Sequence, residues 1–497
     1  MIFNENKQSI LGVPHGEDAL AAVVFSSIFI VIFVTFYGGA SWLVGMIPWR
    51  FEVALQFETL IPFWPEAAIV YLSLNVLLCL TPFILRTWRE LFPLFACLIA
   101  ETVVASIFFV IFPISTTFPE RNAEGLIEFF FNFADKVNLD GNFFPSLHVA
   151  FAFTTVFAVA AKLSYAARIG MLFWAIAISI STILMHEHQV LDVVAGFMLA
   201  AILWNVVGNR CKQVEALTAV EVEMICVRNF IAFGKRHPRY WLIAFYLFLD
   251  SLPKWRKRRV FRTGFCFLQY IDDLLDGDRK SFREPIEVVD EVICSIESGK
   301  YKDGDLMTLA NAFVSDIRSI GGELAVNKTI ELIKVMRRDR TRVLNQQLLS
   351  KDDLRAHHHK TFSLSIDLML IARNADLRAM DVPELVDLLG WCSTVRDFRD
   401  DLSAGLVNVP IEVINKAHSD GITLLDYEFL LSTKAVRDWL YQEHLATNNL
   451  IDLSKYRLQT LKGRKGEYVL RIFLNSISGF SQKKFKRIYP KLSVSSY

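Results

Sequence analysis

The sequence predicts an all-α protein in two parts: a bundle of six membrane-spanning helices (residues 1–212) followed by a separate helical domain (213–497). Three observations lead there. Of 497 residues 53% are hydrophobic and 41 are Phe, with positive mean hydropathy, which is too apolar for one ordinary soluble domain and too long for one core. Six apolar runs, near 20–47, 66–86, 92–114, 148–163, 168–185 and 190–208, approach the roughly 20 residues that cross a bilayer. Charge is divided as well. Up to residue 210 there are 9 Lys plus Arg against 15 Asp plus Glu, leaving 44 against 37, so a net charge of +1 hides a basic, charge-rich second part.

The first run lacks a basic leader and is longer than the apolar region of a signal peptide, so it is expected to remain as an anchor. Six spans leave both termini on one side. Arg86, Arg89, Lys162, Arg168, Arg210 and Lys212 flank that side, whereas the opposite loop, 115–147, carries Glu120, Glu124, Glu128, Asp135 and Asp140 against Arg121 and Lys136. Counting basic residues places the termini, and everything after about residue 215, in the cytoplasm. That second part repeats apolar residues at three-to-four spacing, with Gly and Pro between the periodic runs, and contains no alternating strand pattern. Seven cysteines, with no C-x-x-C pair and mostly in apolar runs, read as buried thiols, not a zinc ribbon or a disulfide framework.

Two motifs lie on the non-cytoplasmic side of the bundle. FFPSLHVAF places Pro145, Ser146 and His148 at the start of a helix, and STILMHEHQVLDVVAG places His188 and Asp192 one turn apart. A carboxylate at that spacing holds an imidazole tautomer and stabilises its cation, while a second His protonates a leaving group. A lone histidine at a helix end is more often an interfacial polar residue; three ionisable groups on one membrane face point to a site.

This pattern resembles the type 2 phosphatidic acid phosphatase superfamily, whose second and third motifs are PSGH and S-R-x5-H-x3-D. Leu147 replaces the Gly and Thr182 the Arg, both as in the inositol phosphorylceramide synthase branch. The resemblance, over roughly residues 60–210, implies His188 as a nucleophile that becomes a phosphohistidine, Asp192 as its orienter and His148 as the leaving-group acid. The first motif, K-x6-R-P, is not present as written; Arg121 is the nearest basic candidate for binding phosphate, with Lys136 further on.

In the second part, YIDDLLDGD sets Asp272 and Asp276 at i, i+4 with Asp273 between, and RDFRDDLSAGLVNVP repeats the geometry with Asp397, Asp401 and Asp400. Like charges at that spacing repel unless a cation intervenes, and Mg²⁺ takes carboxylate oxygens while keeping positions open for diphosphate. A single acidic helix face is usually just solvated; here CFLQY and WCSTV precede the clusters, so both interrupt apolar helices.

LPKWRKRRVFRTGFCFLQYIDDLLD (252–276), Met336 with Asp339, and the 396–410 segment resemble the squalene and phytoene synthase family of class I isoprenoid synthases. The resemblance, over about 230–415, implies Asp272, Asp276, Asp397 and Asp401 as Mg²⁺ ligands, Asp273 and Asp400 in support, and Arg337, Arg338, Arg340 and Arg396 as diphosphate-facing cations. Other family cations are replaced: Leu242, Ile243 and Ala244 stand at Ser-Lys/Arg-Ser, Gln269 at an Arg, and Leu406 at another. Helix neighbours point about 100° apart, so the triplet His357 to His359 does not read as a metal site. The basic runs at 253–262 and 481–491 read as solvated faces or as contacts to anionic lipid; no nucleic-acid module is present.

The expectation is a membrane enzyme using prenyl diphosphate, such as farnesyl diphosphate, in its second part and lipid phosphate esters in its first. The alternatives are a terpene cyclase using a single diphosphate, a membrane part that is a silent anchor, and a helical domain that only binds diphosphate. Oligomeric state is not legible.

Overall fold

The computed structural model describes residues 11–53, 55–115, 118, 125–139, 141–236, 249, 251, 254–419 and 427–489, all in helices, turns and loops apart from one isolated bridge between Phe51 and Ile114. It divides into two compact units, Met1–Val220 and Glu221–Tyr497.

The first unit contains α1 (Gly16–Gly45), α2 (Ala67–Ile84), α3 (Trp88–Ile111), α4 (Leu126–Val137), α5 (Leu147–Val159), α6 (Tyr165–Leu184) and α7 (Val190–Leu203, continuing through a π turn to Cys211). Among the described residues α1, α2, α3, α6 and α7 are long and apolar enough to cross a bilayer. The sixth expected span is shorter: Leu147–Lys162, about 24 Å at 1.5 Å per residue against a hydrocarbon core of about 30 Å.

Its position explains why a short helix suffices. From Val149 to Val156 every side chain of α5 is buried, against α2, α3, α6 and α7, so α5 is the axis of the unit and its neighbours carry the outer surface. Those outer faces hold Val31, Phe173, Met198 and Ile202, each more than half exposed, as side chains that meet lipid should be.

A close approach of two helices frames the site. At Gly196 of α7 an added Cβ would strike the backbone carbonyl oxygen of Ser146 and stand 3.1 Å from the Cβ of Val149. Only hydrogen fits there.

The second unit is built from α8 (Val214–Arg236, within which the boundary falls), α9 (Arg259–Leu275), α10 (Pro285–Ser298), α11 (Asp305–Leu344), α12 (Lys351–Ala372), α13 (Pro383–Ser403), α14 (Ile411–Ser419), α15 (Lys434–Thr460) and α16 (Glu467–Gly479). The long α11 bends at Gly322, whose φ of +64° is left-handed. One core joins α9, α10 and α11 around Phe267, Val289 and Leu309. The other joins α13, α14 and α15 around Leu388, Ile414 and Leu440; α12 packs on both α11 and α13.

All seven cysteines are free thiols, but Cys79 and Cys294 are exposed instead of buried. Both lie on outward faces of α2 and α10, where an apolar neighbourhood in sequence does not mean an inward direction.

A methyl group at Gly196 should force α7 away from α5. Gly196→Ala is expected to cost about 1–3 kcal/mol and to lower the melting temperature of the detergent-solubilised protein; an unchanged melting curve would show that the two helices are not held this tightly.

Candidate active sites

In the first unit the two motifs start neighbouring helices, and the backbone ties those starts together. The N–H of Ser146 donates to the carbonyl oxygen of Asp192 at 3.1 Å. Helix α7 opens with a capping box: the Asp192 carboxylate accepts the N–H of Gln189 at 2.9 Å. The same carboxylate oxygen lies 3.5 Å from Nδ1 of His188, and both side chains are almost completely buried. The turn before α7 is held by Thr182, whose carbonyl accepts the N–H groups of Glu187 and His188.

His148, the second residue of α5 and two beyond the Ser146 N-cap, places its ring centroid 6.4 Å from that of His188. Its Nδ1 is 3.2 Å from the hydroxyl oxygen of Tyr71. Nδ1 of His148 is within hydrogen-bond distance of Tyr71, while Nδ1 of His188 lies beside the Asp192 carboxylate at ion-pair distance without a hydrogen bond. The three residues expected to act together are thus brought together.

Several residues of this site carry no motif. Glu58 is fully buried and accepts the N–H of Val190 at 2.7 Å and that of Leu55 at 3.0 Å; a carboxylate at the first turn of α7 also suits the positive end of its helix dipole. Glu187 accepts a hydrogen bond from the side-chain amide of Asn138, whose Oδ1 accepts from the hydroxyl of Tyr37 at 3.1 Å. The signal in the sequence was an acid inside an apolar stretch, as at Glu58. Arg121 lies outside the described residues, and Lys136 is exposed.

In the second unit the two aspartate clusters approach one another. Asp401 senses the charges of Asp397, Asp276 and Asp339, and burial together with these neighbours pushes its carboxyl up to about 7 against the hydrogen bond from Asn408. Burial, then the charges of Asp278, Asp339 and Asp273, push Asp276 up to about 6. Asp272 is raised well above the usual range by burial and by Asp276 and Asp273. Although burial raises Asp339 too, His357 and Arg342 hold it below the ordinary value.

Hydrogen bonds run between the clusters. Arg342 donates to Asp339 at 2.8 Å and to Asn408 at 3.2 Å, and Asn408 donates to Asp401 at 2.9 Å. His357 pairs with Asp339, His358 with Thr394 and His359 with Asp387, so the histidine triplet faces three separate partners.

Not every expected ligand faces this space. Asp273 is buried against Arg236 and accepts from Gln269 at 2.9 Å, because adjacent helical residues diverge by about 100°. Asp400 is exposed, and Asp397 takes the guanidinium of Arg396 at 2.6 Å. Arg337 forks onto Asp290 of α10 at 2.6 and 2.8 Å, away from the aspartates. Arg340 remains beside Asp276, where its charge opposes the rise in that carboxyl's pKa. Gln269, at the position where an Arg was expected, donates to both Asp272 and Asp273.

Among the described residues no group of three or more His, Cys, Asp or Glu closes to metal-binding spacing. The donor chemistry nevertheless suits a hard divalent cation: Asp272, Asp276 and Asp401 are carboxylates raised first by burial and then by the charges of neighbouring aspartates. They would be the residues that hold Mg²⁺.

A cavity of about 390 Å³ runs back from Asp272 and Gln269 between Phe261, Phe265, Phe313 and Met336. A second, of about 960 Å³, is lined by Leu354, His358, Trp391, Thr394 and Trp439; Thr394 lies on the face of α13 that carries Asp397 and Asp401, at i+3 and i+7.

Raised carboxyl pKa values mean that the folded unit binds more protons than the unfolded chain. Stability from these groups is therefore greatest at low pH and falls as pH rises from about 4, the unfolded value, through the folded values near 6 and 7. Metal-free protein is expected to melt lower at pH 8 than these groups allow at pH 5, and millimolar Mg²⁺ to raise the melting temperature at pH 8 far more than at pH 5. A Mg²⁺ response that is absent, or equal in Asp276→Asn plus Asp401→Asn protein, counts against the carboxylate site.

Residues 112–211, which contain His148, His188 and Asp192, match the family model of the PAP2 superfamily. No curated protein and no solved structure matches the chain. The first unit is similar in this segment to a membrane phosphatase or phosphotransferase.

Proposed function

We propose that the protein is a membrane-bound enzyme with two centres, one cleaving or transferring a lipid phosphate ester through His188 and one acting on a prenyl diphosphate. The observation that carries the first centre is the buried His188–Asp192 pair facing His148 inside the segment similar to the PAP2 superfamily. In this reading the Asp192 carboxylate, 3.5 Å from Nδ1 of His188, orients the ring and stabilises its cation, and Nε2 is the nitrogen that attacks phosphorus. As the P–O bond breaks, His148 protonates the departing oxygen, and water or a hydroxyl acceptor then takes the phosphoryl group from His188.

The second centre is supported by the interacting aspartate clusters and by the apolar cavity that Asp272 helps to line. Mg²⁺, held by Asp272, Asp276 and Asp401, would supply the charge neutralisation that lets diphosphate depart. Phe261, Phe265 and Phe313 exclude water from an isoprenoid chain, and 390 Å³ lies within the roughly 300–1,000 Å³ of small-molecule sites.

Condensation of two chains would need room for a second isoprenoid, and the larger cavity, whose lining includes Lys351, Arg355, Lys360, Asp387 and Glu443, is not a wholly apolar one. The second reading, a cyclase or hydrolase using one diphosphate, is favoured by the cations: Gln269 replaces one, and Arg337 and Arg396 are engaged by Asp290 and Asp397. The basic flanks of the spans support an orientation with both termini in the cytoplasm.

Labelled farnesyl diphosphate given to the full-length protein separates these readings. A C30 product marks condensation, and a C15 hydrocarbon or alcohol marks the one-substrate reaction. Asp272→Ala is expected to slow diphosphate release by about 100-fold, whereas His188→Ala should abolish release of inorganic phosphate from prenyl phosphate. If neither substitution changes any product, the two-centre reading fails.

A further inference from the structure

The imidazole of His148 stands at the head of the most enclosed helix in its unit, where an acid must be held in one orientation and have its second nitrogen satisfied. Helix α2 supplies both through one residue. Tyr71 is 1% exposed; its ring lies nearly parallel to that of His148, centroids 4.0 Å apart at 25°, and its hydroxyl oxygen is 3.2 Å from Nδ1. Tyr71 lies outside the segment that matches the PAP2 superfamily.

We propose that Tyr71 is the positioning residue of the leaving-group acid. This rests on the phosphoryl-transfer reading of the first centre. Tyr71 accepts the Nδ1 proton of the imidazolium, so the proton at Nε2 is the one that points away from Tyr71 and toward the reacting group. When Nε2 of His188 attacks phosphorus, the P–O bond breaks, its electron pair goes to the leaving oxygen, and that oxygen takes the Nε2 proton of His148. The now neutral His148 keeps its Nδ1 proton on Tyr71. In the second half, Nε2 accepts a proton from water as the water oxygen bonds to phosphorus and the P–N bond returns its pair to His188.

The stacked ring and the hydroxyl do different work. Stacking fixes the plane of the imidazole; the hydrogen bond fixes which nitrogen is presented. The other buried tyrosine of the unit, Tyr37, sends its hydroxyl to Asn138 instead, so a polar partner inside this bundle does not by itself make a tyrosine face the histidines.

Tyr71→Phe keeps the ring and removes the hydroxyl. Its discriminating readout is the leaving group: an alkyl phosphate needs a proton to depart, and p-nitrophenyl phosphate, which releases a stable anion, does not. With full-length protein in detergent, Tyr71→Phe is expected to lower the alkyl-to-aryl ratio of kcat/KM by about tenfold or more, a part of what a general acid contributes, through kcat and not KM. His148→Ala should lower the ratio further. A Tyr71→Phe protein that loses both substrates equally, with a lowered melting temperature, shows a purely structural tyrosine and overturns the proposal, as does an unchanged ratio. Labelling of His188 by the aryl substrate reports separately on the first centre. Wild-type protein that turns over neither ester and takes no label overturns the phosphoryl-transfer reading itself, and Tyr71 with it.

Discussion

The arrangement of the first unit depends on one backbone hydrogen bond, from Ser146 N–H to the carbonyl oxygen of Asp192. It joins the beginnings of α5 and α7, and it needs the two backbones to come closer than side chains permit. Gly196 grants that approach one turn further on. Once the helix starts are joined, His148 and the His188–Asp192 pair are brought to one place, with Tyr71 beside Nδ1 of His148 and the Asp192 carboxylate 3.5 Å from Nδ1 of His188. Glu58 adds to the same end by capping α7 from outside the family-like segment. Geometry of this kind is what phosphoryl transfer asks of a protein, since catalysis there is mostly positioning.

The second unit is organised by an opposite force. Its aspartates gather in spite of repulsion and burial, and the scaffold compensates some of them internally: Arg236 and Gln269 for Asp273, Arg342 and His357 for Asp339, Arg396 for Asp397. Asp272, Asp276 and Asp401 are left with raised carboxyl pKa values. Carboxylates buried together in one place are costly to keep, and a site that binds a cation is a physical reason to keep them. Gln269 has an understandable place in this scheme: a neutral amide holds both Asp272 and Asp273 in register without discharging the cluster as an Arg would.

Much of this was legible in the sequence, and the parts that were not have a common cause. The two-part organisation follows from hydropathy and charge, and the His188–Asp192 and Asp272–Asp276 pairs follow from the i, i+4 geometry of a helix. Even the divergence of Asp273 from Asp272 is contained in the 100° step between neighbours. Tyr71 was not legible, because a tyrosine in an apolar run reads as core and its partner is 77 positions away. The fate of Arg337 was hidden for the same reason: its tie to Asp290 spans 47 positions. The apolar run of α5 is legible as a helix of marginal length, but its place as the enclosed axis of the unit is not, because hydropathy does not distinguish a helix sheathed in protein from one sheathed in lipid.

The claim on which the functional account rests is that His188 becomes covalently phosphorylated. The direct measurement is rapid-quench labelling of the full-length protein with a ³²P-phosphate ester, followed by peptide mapping under alkaline conditions. The account expects an acid-labile, base-stable label on the peptide containing His188, absent from His188→Asn protein and long-lived when the acceptor is withheld. Turnover of the ester with no label at His188, or with the label on another residue, would contradict it.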